Sequence, residues 1–341
     1  MNRKLTCIGV RQLEYQEYES PVLHSNQIRI KSIYGAAKHG TEMSVYKGYG
    51  NNRGGYDAAK GIFDHDKTAN PYPFHIGNMV VGTVMEVGSD VNTFAVGDRA
   101  LTYSGFATSV VAEARSSWKL PDTVSWQSAV CIDPADFAFS AIRDGNVRIG
   151  DAVAVFSLGA IGLMAIQLLS QTGAHPIIAF DPIEQRRNLA LEFGATITMD
   201  PTQCDAGKEI RNLTNDRGAD VVIEYSGTRQ AMQDALRGVA YGGTVVAGAF
   251  PPPYTAGLDL GAEAHVNIPN IVFTRACSDP NRDHPRWNND RIYTCCYDLI
   301  VNHKVLGEKV VWPIVRFDDL IAAYPKIADD SSSTLKLGVR Y

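Results

Sequence analysis

The chain has 341 residues, of which 45% are hydrophobic and 20% are charged, and this length favours about two domains. Its formal net charge of -5 excludes a broad positive field, so nucleic-acid and membrane-surface partners are not expected. We expect the partner to be a small polar molecule.

The N-terminal residues do not have the pattern of a secretory signal, because the acidic and aromatic run Glu14 to Glu19 stands where an apolar segment would be needed. No stretch reaches the roughly 20 consecutive apolar residues of a membrane span. The six cysteines include no CXXC pair, which argues against a disulfide framework and against a thiolate zinc cage. These features predict a cytoplasmic protein.

Two segments near the N-terminus, Gln27 to Ile33 and Met79 to Val87, alternate apolar and polar residues, as strands of an antiparallel β domain do. Between them, Tyr49 to Pro73 is rich in Asn, Gly, Asp, Lys and Tyr and is long for a connection inside a compact domain. Two interpretations stay open for this segment: a solvated excursion, or a loop that covers the substrate.

From about Asp151 onward, short apolar runs alternate with helical periods, which is typical of βαβ units and a parallel sheet. The predicted strands are Ala152 to Phe156, Ile177 to Phe180, Thr196 to Met199, Val221 to Tyr225, Thr244 to Ala247 and Ile271 to Thr274. The predicted helices are Ile161 to Thr172, Ile183 to Phe193, Cys204 to Thr214, Arg229 to Val239 and Arg291 to Val305. This order predicts a Rossmann-like, doubly wound α/β domain.

The C-terminal segment returns to the earlier pattern, with a predicted strand Val310 to Val315, a helix Phe317 to Ile327 and a last strand Leu335 to Val339. We therefore predict an α/β protein of two domains. A β-rich domain is built from residues 1–123 and 302–341, and the Rossmann domain spans 124–301.

A degenerate GXGXXG motif follows the first Rossmann strand. It consists of Ser157, Leu158, Gly159, Ala160, Ile161 and Gly162, with serine at the first glycine position. In the intact motif the glycines allow a tight turn and close approach to a pyrophosphate, which the N-terminus of the helix faces. An ordinary glycine turn is the alternative interpretation.

The second Rossmann strand ends at Asp181, where an acidic side chain accepts hydrogen bonds from the adenosine ribose and repels a 2'-phosphate. This favours NAD over NADP. Asp181 and Pro182 also fit the N-cap and first residue of the next helix, so both roles stay open. Arg186 could reach a 2'-phosphate or flank the adenine, and Ser226 and Gly248 complete the predicted cofactor site.

Several motifs resemble those of the medium-chain dehydrogenase/reductase superfamily, which includes zinc-dependent alcohol, sorbitol and threonine dehydrogenases. His39-Gly40-Thr41-Glu42 stands in the position of Cys-Gly-Thr-Asp, and Gly82 to Arg99 matches GXVXEVGXXVXXFXXGDR. Asp133-Pro134, Ala141 to Asp151 and Ala190 to Ala195 resemble further motifs of the family. The Gly-Thr-Glu triplet is similar to a branch with bacteriochlorophyllide and sugar or polyol dehydrogenases.

The resemblance implies a GroES-like catalytic domain made from both ends of the chain, with hydride transfer beside a Rossmann domain. It also identifies the positions of the family's catalytic zinc ligands, where this chain has His39, Asn78 and Asp133. Asn78 is a poor, neutral ligand, and two good ligands seldom hold a catalytic zinc ion. Zinc is therefore not expected, and the lobe that holds the family's structural zinc is missing.

Without zinc, polar side chains must stabilise the alkoxide and accept its proton. The predicted catalytic residues are Lys38, His39, Thr41, Asn78 and Asp133. His39 exchanges protons near neutral pH, Thr41 matches a proton-relay hydroxyl of the family, and Asn78 can donate to an oxyanion. The predicted substrate residues are Glu42, His65 and Trp287, of which Trp287 could stack on a sugar face.

These residues predict an NAD-dependent dehydrogenase of a secondary alcohol in a sugar, sugar acid, polyol or cyclitol. Two alternatives stay open: a catalytically silent nucleotide-binding protein, and a zinc-free, NADPH-dependent reductase of enones or quinones. The family commonly pairs subunits through its cofactor-domain sheets, so a homodimer or homotetramer is expected, with Val266 to Thr274 as the candidate interface.

Overall fold

The computed structural model describes residues 1–49, 53–66, 70–276, 278–279 and 281–341, except for the side chain of His39. The chain divides into two compact units. The first unit contains Met1–Val130 and Val310–Tyr341, and the second contains Cys131–Lys309. The predicted division at residues 123 and 302 remains a proposal for the domain borders. Among the described residues, no helix is both long and apolar enough to cross a membrane, and the cytoplasmic location stays a prediction.

The first unit is built mainly from β-strands. Numbered along the whole chain, they are β1 (Asn2–Gly9), β2 (Gln12–Tyr18), β3 (Gln27–Ala36), β4 (Gly55–Asp57), β5 (Ile62–Asp64), β6 (Phe74–His75), β7 (Met79–Val87), β8 (Arg99–Tyr103), β9 (Ser109–Glu113), β10 (Ser117–Lys119), β17 (Val311–Arg316) and β18 (Lys336–Arg340). Its helices are α1 (His39–Tyr46), α2 (Trp126–Ala129) and α10 (Leu320–Asp329). The last helix was predicted at Phe317 to Ile327, but a 3-10 turn occupies Phe317–Asp319 first.

The large sheet of this unit has the order β10-β8-β7-β3-β18-β17, with β9 also paired to β3. The C-terminal strand β18 pairs antiparallel with β3 at Gly338 and Ala36, so the end of the chain completes the sheet that begins near its start. A smaller sheet has the order β2-β1-β6. Residues 53–66 of the long polar segment form a hairpin of β4 and β5, and both interpretations of the segment, a solvated excursion and a loop that covers the substrate, stay open.

The second unit alternates strands and helices. Its strands are β11 (Val153–Phe156), β12 (Ile177–Phe180), β13 (Ile197–Met199), β14 (Ala219–Glu224), β15 (Val239–Ala247) and β16 (Asn270–Phe273). Its helices are α3 (Ile132–Asp144), α4 (Ala160–Leu169), α5 (Glu184–Glu192), α6 (Ala206–Leu213), α7 (Arg229–Gly238), α8 (Glu263–Asn267) and α9 (Asn289–Val301). Each predicted strand is present. The prediction for β15 was too short, because the strand begins at Val239 rather than Thr244.

These six strands are all parallel and have the order β13-β12-β11-β14-β15-β16. The order reverses between β11 and β14, and in such sheets ligands bind outside the carboxyl ends of the strands at this point. The β11 and β12 strands are entirely buried, as expected where helices cover both faces of a parallel sheet. The predicted fold class is confirmed.

Candidate active site and cofactor site

The turn between β11 and α4 contains the degenerate glycine motif. Ser157, at the first glycine position, adopts a φ of 76°, a left-handed conformation that glycine accepts more readily than serine. A Cβ atom on Gly162 would lie 1.9 Å from the Ser157 carbonyl oxygen, so helix and strand approach too closely for a side chain there. The structure therefore gives Gly162 the packing role that the motif predicts.

Gly159 differs from Gly162, because a Cβ atom on it would meet only the Ser157 Oγ atom, 3.9 Å away. Its φ of -68° is open to any residue, and it is the N-cap of α4 without a side-chain cap. Nothing in the surrounding protein thus requires glycine here. The open space at a helix N-terminus suits a ligand phosphate that approaches the backbone closely. Leu158 is fully buried, while Ala160 and Ile161 begin the helix and are partly exposed.

Asp181 lies just after β12 and is only 2% exposed. Its Oδ2 atom accepts a hydrogen bond of 2.8 Å from the Leu158 backbone N–H, and its Oδ1 atom accepts one of 2.9 Å from the Ile183 N–H. The carboxylate therefore connects the ends of two neighbouring strands. The N-cap role was wrong as predicted, because α5 begins at Glu184 with Ile183 as its N-cap.

Arg186 lies beside this carboxylate, with its Nη1 atom 3.7 Å from the Asp181 Oδ2 atom, and its side chain is only 13% exposed. Burial lowers the pKa of the Arg186 guanidinium, and the charge of Asp181 opposes this effect. Arg186 is thus held against Asp181 within the fold. Its predicted contact with an adenine or a 2'-phosphate stays a prediction.

Ser226 follows β14, and its N–H and hydroxyl groups both donate to the Glu224 Oε1 atom. Glu224 is 1% exposed, and burial raises the pKa of its carboxyl group although these hydrogen bonds oppose the rise. The sequence analysis missed Glu224; an acidic residue two positions before Ser226-Gly227, at the end of a strand, was the available signal. Gly248 has an internal reason to be glycine, since its Cβ would lie 2.4 Å from the Tyr225 ring.

The predicted catalytic turn begins where β3 ends, and α1 starts at His39. The His39 side chain lies outside the described part of the structure, so the proton exchange predicted for its imidazole stays a prediction. Lys38 is the N-cap residue of α1, and Thr41 is exposed in its first turn. Lys38 and Thr41 therefore belong to one short backbone segment, as the sequence predicted.

Asn78 is held beside this segment by its backbone. Its N–H donates to the Ala36 carbonyl oxygen at 2.9 Å, and its own carbonyl accepts from the Ser104 N–H at 3.0 Å. The Nδ2 atom is buried and has no hydrogen-bond partner among the described residues. A buried amide donor without a partner costs about 1 to 3 kcal/mol, and a substrate oxygen could satisfy it. Asp133, in the second unit, is 4% exposed in the first turn of α3.

Glu42 was predicted to bind substrate, but the structure corrects this prediction because the side chain is 2% exposed. Its Oε1 atom accepts a hydrogen bond of 2.6 Å from the Lys38 N–H, and Tyr324 Oη lies 3.4 Å from Oε2. Burial raises the pKa of Glu42 to about 7. The Glu42 carboxyl group thus stabilises the backbone of the predicted catalytic turn through its hydrogen bond with Lys38.

Lys336, which the sequence analysis missed, completes this buried cluster. It is 2% exposed, and its ammonium group donates to the Ala37 carbonyl oxygen at 2.9 Å. Its charge opposes the rise in the Glu42 pKa. Neither Lys336 nor Tyr324 lies in a recognisable motif. The pairing of β18 with β3 brings the C-terminal segment close to the start of α1.

Trp287 was predicted to stack on a sugar, and the structure places it in a different environment. The Cζ atoms of Arg143 and Arg291 lie 3.9 Å and 4.0 Å from the ring centroid. Two guanidinium groups cannot share one ring face at these distances, so both faces are covered. The predicted stacking role is therefore corrected to a structural cation–π contact. His65 is exposed just after β5, and no contact there supports or excludes its predicted role.

Known proteins resemble the chain along its length. Residues 26–122 match the family model described as an alcohol dehydrogenase GroES-like domain, and residues 160–276 match that of a zinc-binding dehydrogenase. D-guloside 3-dehydrogenase of Escherichia coli strain K12 is 41% identical, over 99% of this chain and 100% of that protein. The chain belongs to the medium-chain dehydrogenase/reductase superfamily.

Other members support the same assignment at lower similarity. Sorbitol dehydrogenase of Bacillus subtilis is 29% identical, over 59% of this chain and 63% of that protein. The crystal structure of 2R,3R-butanediol dehydrogenase from Bacillus subtilis has a TM-score of 0.80 with 22% identity, covering 100% of both chains; this likeness shows the shared fold. The chain is a dehydrogenase of the alcohol and polyol type within this superfamily.

The zinc ion of many superfamily members is poorly matched by the donors in this chain. The described residues contain no group of three or more His, Cys, Asp or Glu side chains that could hold a metal ion. At the position of one family ligand, Asn78 presents a buried amide nitrogen that is a donor and not a ligand. Zinc sites prefer thiolate, imidazole or carboxylate donors, so Asn78 does not supply a typical zinc ligand, and the absence of a catalytic zinc stays a prediction.

Proposed function

We propose that the protein is an NAD-dependent dehydrogenase that oxidises a secondary ring hydroxyl of a hexose glycoside, without catalytic zinc. The observation that carries this proposal is the 41% identity to D-guloside 3-dehydrogenase along the whole of both chains.

The second unit supplies residues that suit NAD. The space at Gly159 and the N-terminus of α4 would receive the pyrophosphate, since backbone N–H groups at a helix start favour anions. Asp181 would accept a hydrogen bond from the adenosine ribose, because a carboxylate with two accepted N–H bonds retains lone pairs for a further donor. Bound NAD supplies the acceptor for the hydride.

Asp181 also supports a preference for NAD over NADP. A buried carboxylate at the end of β12 repels the 2'-phosphate of NADP, although the adjacent Arg186 reduces this repulsion. Asp181→Asn retains one acceptor oxygen and almost the same shape. We expect this variant to bind NAD at least tenfold more weakly and to have a higher ratio of NADP to NAD affinity, measured by fluorescence titration with NADH and NADPH. An unchanged ratio would remove Asp181 from the specificity argument.

In place of a metal ion, residues of the first unit would stabilise the alkoxide. The unpartnered Asn78 amide would donate to the substrate oxygen as negative charge develops on it, and the Lys38 ammonium would add a positive charge. Thr41 would relay the hydroxyl proton to His39. The role predicted for Asp133, which belongs to the second unit, stays a proposal: its carboxylate would bind a substrate hydroxyl. Removing one oxyanion donor typically costs a hundredfold to a thousandfold in kcat.

The decisive assay follows NADH formation from methyl gulosides, other methyl hexosides, sorbitol and threonine. We expect gulosides to have the highest kcat/KM and NMR of the product to show a ketone at a ring carbon. Asn78→Asp should lower kcat by a factor of about 100 or more while NADH binding is retained. Activity that disappears with a chelator and returns with Zn²⁺ would overturn the zinc-free mechanism, and absence of turnover with every glycoside would overturn the substrate assignment.

For the assembly, we propose a homodimer formed through β16. This strand lies at the edge of the parallel sheet, and Phe273 and Ile271 are 80% and 45% exposed. The nearby Val266 and Ile268 are also exposed. An exposed apolar edge strand of this kind is a template for pairing with another chain.

A further inference from the structure

A cavity of about 230 Å³ lies in the first unit, beside the small sheet. It is lined by Lys4, Tyr18, Ser20, Pro21, Arg29, His75, Ser104 to Ala107 and Ser109 to Val111. None of the proposed catalytic residues and none of the proposed cofactor residues belongs to this lining. The cavity is therefore distinct from the site described above.

Cationic side chains dominate the charge of this cavity. Lys4 and Arg29 line it as cations beside the imidazole of His75, and no Asp or Glu belongs to its lining. The Lys4 side chain makes no ion pair among the described residues, and its Nζ atom lies 6.0 Å from the Tyr18 ring centroid. Burial and the nearby Lys4 charge lower the pKa of His75, as a locally positive potential would.

Arg29 is fixed in the wall of the cavity. Its Nε atom lies 3.0 Å from the Glu86 carboxylate, and one terminal nitrogen, Nη2, donates to the Pro21 carbonyl oxygen at 3.0 Å. The other, Nη1, is buried and has no hydrogen-bond partner among the described residues. An unsatisfied guanidinium donor is costly unless an acceptor reaches it. The planar Arg29 guanidinium is held rigidly and has one donor nitrogen, Nη1, without a partner, which suits it to bind an oxyanion.

We propose that this cavity binds a small metabolite through a carboxylate or phosphate group. The positive charge comes from Lys4, since Arg29 is paired with Glu86, and the hydroxyl groups of Tyr18, Ser20 and Ser109 line the same space. The volume is below the range of about 300 to 1,000 Å³ typical of drug-sized ligands. It therefore suits an anion of the size of a sugar acid or a small phosphate ester.

The test is calorimetric titration of the enzyme saturated with NADH, which keeps the probe out of the proposed pyrophosphate site. Inorganic phosphate and gluconate are the two probes, glucose is the neutral control, and chloride holds the ionic strength constant. We expect both anions to bind and glucose not to bind. The anion that binds with the higher affinity shows whether the cavity prefers a phosphate or a carboxylate group.

Lys4→Gln should weaken anion binding at least tenfold, because it removes a charged partner without breaking an ion pair of the described fold. The matched control is Lys31→Gln, which removes the same charge from an exposed position two residues after Arg29 and outside the cavity lining. It should leave the affinity within twofold. The NMR signals of the His75 imidazole should shift on anion binding in the parent enzyme, and much less in Lys4→Gln.

Three outcomes would overturn the proposal: no anion binding to the NADH-saturated parent enzyme, unchanged binding in Lys4→Gln, or equal weakening in Lys31→Gln. Each is separable from failure of the proposed function, because none depends on turnover of a glycoside. Melting temperatures of both variants near that of the parent confirm that any lost binding is local.

Discussion

Gly159→Ala tests the cofactor site most directly. The added Cβ atom would have only the Ser157 Oγ atom within 4 Å, at 3.9 Å, and the φ of -68° is open to alanine. The fold should therefore tolerate the change, and the loss of chain entropy in the unfolded state should stabilise it by about 0.4 to 1 kcal/mol. The methyl group would instead occupy space in which the proposed pyrophosphate approaches the backbone.

The expected effect on binding follows from the contacts that a displaced phosphate loses. Hydrogen bonds to a charged group are worth about 1.5 to 3 kcal/mol, so the loss of one bond weakens NAD binding by roughly tenfold to a hundredfold. Fluorescence titration with NADH measures this change, and thermal denaturation without cofactor measures stability. Unchanged NADH affinity in a stable Gly159→Ala protein would refute the placement of the pyrophosphate at this turn.

Gly162→Ala is the matched control at the other glycine of the motif. Its Cβ atom would lie 1.9 Å from the Ser157 carbonyl oxygen and 3.9 Å from a Val155 methyl group. Since a backbone atom cannot move away as a side chain would, this variant should lose stability without cofactor as well as affinity. The pair therefore separates a ligand requirement at Gly159 from a packing requirement at Gly162. Equal destabilisation by both changes would contradict this separation.

Three further changes test other parts of the structure. Ser157→Gly should raise the free energy of unfolding by less than about 1 kcal/mol in urea denaturation, because relief of the left-handed φ of 76°, worth about 1 to 2 kcal/mol, exceeds the about 0.4 to 1 kcal/mol that glycine costs through the entropy of the unfolded chain; a destabilised variant would count against strain there. The pKa of Glu42 is raised from 4.5 to about 7, so the folded state holds a proton that the unfolded chain has released between these pH values. The free energy of unfolding should fall by on the order of 3 kcal/mol over this range, and Glu42→Gln should flatten that slope; equal slopes would contradict the assignment. Phe273→Glu should convert the proposed dimer to a monomer in light scattering, because it places a charge on the exposed edge strand, and a parent protein that is already monomeric would end this proposal.

The second unit could be predicted from sequence because its signals are local. Buried runs such as Val153–Phe156 and Ile177–Phe180 stand between helical periods, and glycine marks several helix ends. The errors were mainly at boundaries. The β15 strand was predicted too short because Tyr241, Gly242 and Gly243 interrupt its apolar pattern; Val239 pairs with Ala219 of β14, and a register irregularity separates this pair from the regular pairing that begins at Thr244.

The candidate site was predictable only where it follows a motif. The spacing of Gly159, Gly162 and Asp181 located the turn and the adjacent strand end. The Glu42 environment could not be predicted in this way, because Tyr324 and Lys336 reach it from about 300 residues further along the chain. In sequence, a polar residue near a catalytic motif cannot be distinguished as one that contacts substrate or as a buried one that stabilises the backbone of the turn. Burial, which only the fold determines, separates these two roles.

Asp181 shows how one residue can serve both fold and cofactor. β11 and β12 are neighbours in register from Val153 and Ile177 to Phe156 and Phe180, so the segments that follow them emerge side by side. The carboxylate accepts the Leu158 N–H across this gap, which fixes the glycine turn before any ligand arrives. A site organised in advance loses less entropy on binding. An NAD ribose would thus meet a carboxylate already held in place, and replacement of Asp181 should loosen the turn as well as remove an acceptor. For this reason the ratio of NADP to NAD affinity, and not NAD affinity alone, distinguishes the role of its charge from its role in the fold.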